Sequence, residues 1–179
     1  MTSAFASYFL LLALVANLFY FKTCLCVDAE GEALIAGICK KVQDPTFCLN
    51  TFHQNIPNHP YTPTEVTRVA ISQSLQHATD NRIFIEKSKA SSKDTEIQNL
   101  YAICDSGYGF LSTELQDASL SLAQKNYNAL ENSISKCPKF VSDCHDAFGD
   151  KTTPDLLDRN RKQLDLVLMA NFAEGLIQK

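Results

Sequence analysis

The chain has 179 residues, 45% of them hydrophobic and 20% charged, and a formal net charge of −4. That length suits one domain large enough to bury most of its apolar surface. The acidic balance supplies no basic stripe to neutralise phosphates, which argues against nucleic acid as a partner.

The N-terminus opens with a 14-residue apolar run, Tyr8 to Phe21. A membrane span needs about 20 residues, so the run reads as the core of a signal peptide. Cleavage after Ala29 or after Cys26 would each leave five of the seven cysteines. No second apolar run follows, which excludes a multi-span protein; an uncleaved anchor is the alternative. Losing residues 1–29 removes Lys22 and Asp28, one charge of each sign, so the mature chain keeps −4. No Asn-x-Ser/Thr acceptor occurs, and N-glycans are not expected.

Beyond residue 29 helical periodicity is nearly continuous. A first helix is expected from Glu32 to Val42 and a second from Thr46 to Phe52, broken at Asp44-Pro45. Cys39 and Cys48 flank this turn as a local staple. Two prolines in Asn55 to Pro60 forbid regular structure. Thr62-Pro63-Thr64-Glu65 is a strong helix start, with Thr as cap, Pro at the first position and Glu at the third. The helix it opens runs to about Lys89 and is expected to bury Val66, Val69, Ile71, Leu75, Ala78, Ile83 and Ile85.

After a connector at residues 91–94 comes a helix of stripe Ile97, Tyr101, Cys104, Tyr108, Leu111, Leu115, Ala118 and Leu122. Gly107 and Gly109 are expected to admit a close neighbour. A turn at Gln124-Lys125-Asn126, with Asn126 as cap, leads to the stripe Tyr127, Leu130, Ile134, Cys137, Val141, Cys144 and Phe148. Pro138 falls inside this helix, where a kink is expected, and Gly149 ends it. Thr153-Pro154-Asp155 opens the last helix, expected to bury Leu157, Leu164, Val167, Leu168, Phe172 and Leu176.

Folding the two middle stripes back on each other pairs residues whose numbers sum to about 250. Residue 104 then faces roughly 146, about 3 Å of helix rise from Cys144 and about 13 Å from Cys137. A disulfide tolerates little separation, so Cys104 pairs with Cys144 and Cys137 remains a free, buried thiol. The expected fold is all-α: an up-down-up-down four-helix bundle over residues 62–178, preceded by a helical hairpin and loop at 30–61, with two disulfides.

Chemistry is scarce. The four histidines (His53, His59, His77, His145) make no metal-site spacing, and no phosphate loop, nucleophile elbow or Cys-x-x-Cys occurs. No metal, cofactor or catalytic residue is expected. A rigid, stapled helical surface suits binding another protein.

Cys39-x8-Cys48, then Leu100-Tyr101-Ala102-Ile103-Cys104 with Tyr108, then Cys144, Asp146 and Phe148, resemble the plant pectin methylesterase and invertase inhibitor family. The resemblance covers about residues 33–177. It implies a secreted inhibitor in the apoplast, or alternatively the vacuole, monomeric when free. Its implied target is a pectin methylesterase, blocked by covering the substrate cleft in a reversible one-to-one complex. An acid invertase is the alternative target, and a non-inhibitory binding or surface protein is the second alternative.

Invertase inhibitors of the family often carry Pro-Lys-Phe just after the central turn, a place taken here by Asn128-Ala129-Leu130. Pro138-Lys139-Phe140 comes later, close to Cys144. The esterase inhibitors use outer faces of bundle helices. By resemblance, the outward positions here include Gln73, Gln76, Thr79, Asp80, Ser106, Thr113, Gln116 and Asp117. A bundle interior serving as a small-molecule carrier is disfavoured by the large residues that fill the stripes.

Overall fold

The computed structural model describes residues 29–56 and 61–177. The expected signal peptide, Ala29 apart, and residues 57–60 of the proline loop lie outside the described residues. Six α-helices and one 3-10 turn account for the described fold, with no strand among the described residues.

The first helix, α1, covers 29–39 and is followed by α2, Pro45–Asn55. The chain leaves α1 about three residues earlier than its apolar pattern suggested. Residues 40–44 form the turn instead, and two of its amides are held from outside: Gln43 N–H and Asp44 N–H donate to the Asp165 carboxylate at 2.9 and 3.0 Å. Asp44 in turn accepts from the Phe47 amide and caps α2. Cys39 and Cys48 are bridged across the turn, with Cα atoms 5.5 Å apart. At the other end of α1, Gly31 abuts Tyr61: a β-carbon there would meet the ring at 2.8 Å.

Four long helices follow: α3 (Pro63–Ser91), α4 (Thr95–Ala123), α5 (Tyr127–Phe148) and α6 (Pro154–Glu174). Each start carries a side-chain cap, Thr62, Asp94, Asn126 and Thr153 respectively, accepting from first-turn amides. The turn before α5 places Lys125 at φ 56°, and Gly149 after it takes φ 48°. In the bundle α3 packs on α4 and α6, and α5 packs on the same two, so the helices close a ring. Cys104 and Cys144 are bridged across the α4–α5 seam, with Cα atoms 4.4 Å apart, and Cys137 is free and buried.

The core is largely apolar: Leu111, Leu115, Leu130, Ile134, Leu156 and Met169 are among its fully buried members. It also contains a hydrogen-bonded polar chain. Tyr108 Oη donates to Asn160 Oδ1 at 2.8 Å and accepts from Asn81 Nδ2 at 3.1 Å. Gln163 Nε2 donates to Ser74 at 2.8 Å, and its carbonyl faces His77 Nδ1 at 3.0 Å. The His77 ring nitrogen is also 3.2 Å from Asn81 Nδ2. α3, α4 and α6 are thereby joined through partnered polar groups, which the interior demands of any it admits.

Expected burials are corrected on two helices, and on α3 Leu75 is only half-buried. Ile83 is 46% exposed, because the face of α3 that carries Ala78, Asn81 and Ile85 is the one turned inward. On α6 the buried face is rotated from the expected stripe. Val167 is buried as expected, and Leu156, Leu166, Met169, Ala170 and Ala173 are buried with it, whereas Leu157, Leu164, Leu168 and Phe172 are half-buried and Leu176 is exposed. The cause is polar: Asn160, Gln163 and Asp165 lie on the inward face, where each has a partner.

Candidate partner-binding surface

α3 and α4 run antiparallel, clasped by Arg82 Nε donating to Asp105 Oδ1 at 3.0 Å and by the Asn81–Tyr108 bond. This register puts Gln73 about level with Thr113 to Asp117, and Asp80 about level with Ser106. Gln76, Thr79, Asp80, Ser106, Thr113, Gln116 and Asp117 are exposed, and Gln73 is half-buried.

Their hydrogen-bonding groups are not equally available. The Thr79 hydroxyl donates to Leu75 O at 3.0 Å and the Thr113 hydroxyl to Gly109 O at 3.2 Å. Those protons are spent inside their own helices. Gln76 donates to Asp80 at 3.3 Å. Gln73, Ser106, Gln116 and Asp117 have no side-chain partner among the described residues and are open to a visiting surface.

The next seam, between α4 and α5, is more apolar. Phe110 is 61% exposed and Ile103 49%. Phe110 stacks on Phe140 with ring centroids 5.8 Å apart. Sequence reading missed this patch because Ile103 and Phe110 stand off the α4 stripe, and that displacement was itself the available signal. Phe140 belongs to Pro138-Lys139-Phe140, which lies in the second half of α5. Lys139 is exposed and pairs with Asp143 at 2.6 Å, one turn on. At the start of α5, Ala129 N–H donates to the Asn126 cap and Leu130 is buried.

Reactive groups are few. Burial, reinforced by the Glu114 carboxylate, pushes the Cys137 thiol up to about 12, so it is no nucleophile. Burial holds His77 below the usual imidazole value. Among the described residues no group of three or more His, Cys, Asp or Glu is placed to hold a metal ion. No described helix is long and apolar enough to cross a membrane.

A protein-family model described as plant invertase/pectin methylesterase inhibitor matches residues 33–173. The chain belongs to this family. The match starts in α1 and ends in α6, so the inhibitor-family domain takes in the bridged hairpin and the whole bundle. No curated protein matches the sequence.

Two solved structures share the family fold. One is a mutant form of a pectin methylesterase inhibitor from Arabidopsis, at TM-score 0.73 and 15% identity, covering 81% of this chain and 97% of that one. The other is a pectin methylesterase inhibitor from Arabidopsis thaliana, at TM-score 0.62 and 16% identity, with 81% and 97% covered. At such identities the likeness concerns the fold.

Proposed function

We infer that the protein is a secreted inhibitor, not an enzyme, that blocks a plant pectin methylesterase by covering its substrate cleft. Residues 1–29 act as the signal peptide, and the mature chain is a monomer that forms a reversible one-to-one complex in the apoplast. The observation that carries this reading is the family match across the whole folded domain, residues 33–173. The polar, moderately charged face of α3 and α4 suits a wet interface in which open side chains such as Gln73, Ser106, Gln116 and Asp117 supply the hydrogen bonds.

An acid invertase is the second reading, favoured by Pro138-Lys139-Phe140. Its placement favours the esterase: Lys139 is tied to Asp143, and Phe140 is stacked on Phe110. Phe140 is engaged on the neighbouring helix, whereas the Lys139–Asp143 pair is exposed and holds Lys139 only weakly.

The test is a parallel titration of purified mature protein against a plant pectin methylesterase and an acid invertase. Esterase inhibition that reverses on dilution and is lost in the combined Gln76→Arg, Thr113→Arg, Gln116→Arg variant, with circular dichroism unchanged, supports the reading. Retained inhibition in that folded variant removes α3 and α4 as the binding face. Invertase inhibition that disappears in Lys139→Ala makes invertase the target.

A further inference from the structure

We propose that the seam between α5 and α6 carries a binding site for a small organic carboxylate, separate from the face assigned to the enzyme. A cavity of about 250 Å³ lies there. Its apolar lining is Val141 from α5 and Leu157 and Leu164 from α6. Asn160 closes it toward the core, where its amide reaches the Cys144 sulfur at 3.6 Å and accepts from Tyr108. Bundle and disulfide therefore hold that wall rigid.

Four polar side chains complete the lining: Gln43 from the turn after α1, Ser142 and His145 from α5, and Arg161 from α6. None has a side-chain hydrogen bond or ion pair among the described residues. That is unusual on this helix. The other two cations of α6 each hold a carboxylate one turn away, Arg159 to Asp155 at 3.1 Å and Lys162 to Asp158 at 2.7 Å. The acid one turn after Arg161 is Asp165, which is 2% exposed and turned under the α1–α2 turn to bind the amides of Gln43 and Asp44. Among the described residues, Arg161 is left at the rim of the cavity without a counter-charge.

This combination selects a ligand class. A guanidinium presents paired donors in a plane and matches a carboxylate bidentately. Ser142 and Gln43 add neutral hydrogen-bonding groups, and the apolar wall accepts a ring or short hydrocarbon body. A bare inorganic anion would leave that wall facing water. The fitting ligand is a monocarboxylic acid of roughly benzoate size.

The experiment is an NMR titration of isotope-labelled mature protein with benzoate, with benzamide as the uncharged isostere and inorganic phosphate as the bare anion. Saturable shifts at Ser142, His145 and Arg161 with benzoate are expected. Benzamide and phosphate should bind at least tenfold more weakly, and Arg161→Gln should weaken benzoate by at least tenfold. Arg161 is exposed, so that variant leaves the fold intact. Equal binding of benzamide, equal binding of phosphate, an unaffected Arg161→Gln variant, or no saturable shift with benzoate each overturns the proposal.

Discussion

A β-carbon on Gly107 would sit 3.0 Å from the carbonyl oxygen of Phe140, so at this step α4 meets the backbone of α5 directly. The contact lies between the disulfide and the exposed Phe110–Phe140 pair. Gly107→Ala must push the helices apart and should cost about 1–3 kcal/mol. Gly109, two residues on, has nothing within 4 Å of such a β-carbon. Gly109→Ala should therefore gain up to about 1 kcal/mol of helix propensity. Denaturant unfolding of both variants checks the opposite signs.

The helix starts were legible because capping is local. Thr62, Asn126 and Thr153 could be read as caps without knowledge of the fold, and the alternating steps around Cys104 and Cys144 defined which faces of α4 and α5 meet. Gly109 was less legible: its pairing with Gly107 suggested a close approach, but it faces open space. The phase of α6 was hidden for a different reason. Nothing in the sequence marks Asn160 and Gln163 as core residues until Tyr108, Ser74 and His77 are known to receive them. The α3–α4 face was drawn from resemblance alone, since no periodicity distinguishes a binding glutamine from a solvated one.

Cys137 should be silent in the folded protein. With its thiol pushed up to about 12, iodoacetamide at neutral pH should modify it only after unfolding. Peptide mapping without reductant should return Cys39–Cys48 and Cys104–Cys144. Replacing both Cys104 and Cys144 by alanine opens a loop of sequence separation 40 and should cost about 4 kcal/mol in the chain-entropy account.

Stability should fall in mild acid partly through His77. Burial is the main cause of its lowered value, helped by Arg159 and Lys162 and opposed by the Gln163 bond and Asp80. The folded ring thus binds protons less readily than the unfolded one. Its contribution is complete above the unfolded value of 6.5 and is lost progressively as pH drops below it. Urea midpoints measured near neutrality and near pH 5 should differ for the wild type. The difference should shrink in His77→Gln; an unchanged slope there would sink the assignment.

Asp165 holds the hairpin to the bundle. Asp165→Ala leaves the Gln43 and Asp44 amides without their acceptor and should cost about 2–3 kcal/mol. Hydrogen exchange at these two amides should accelerate more than at the core amides of α4.

Two sets of buried hydrogen bonds, Asn81–Tyr108–Asn160 and Gln163–Ser74, bear on misassembly rather than on strength alone. An apolar stripe can slide by one turn and still find apolar neighbours. A slip of α6 against α3 and α4 would bring these five groups opposite hydrocarbon, with each stranded donor or acceptor costing about 1–3 kcal/mol. The disulfide ties only α4 to α5. The register of α3 and α6 is therefore specified by side-chain partners, which gives a newly made chain a way to disfavour wrong registers before any cysteine is oxidised.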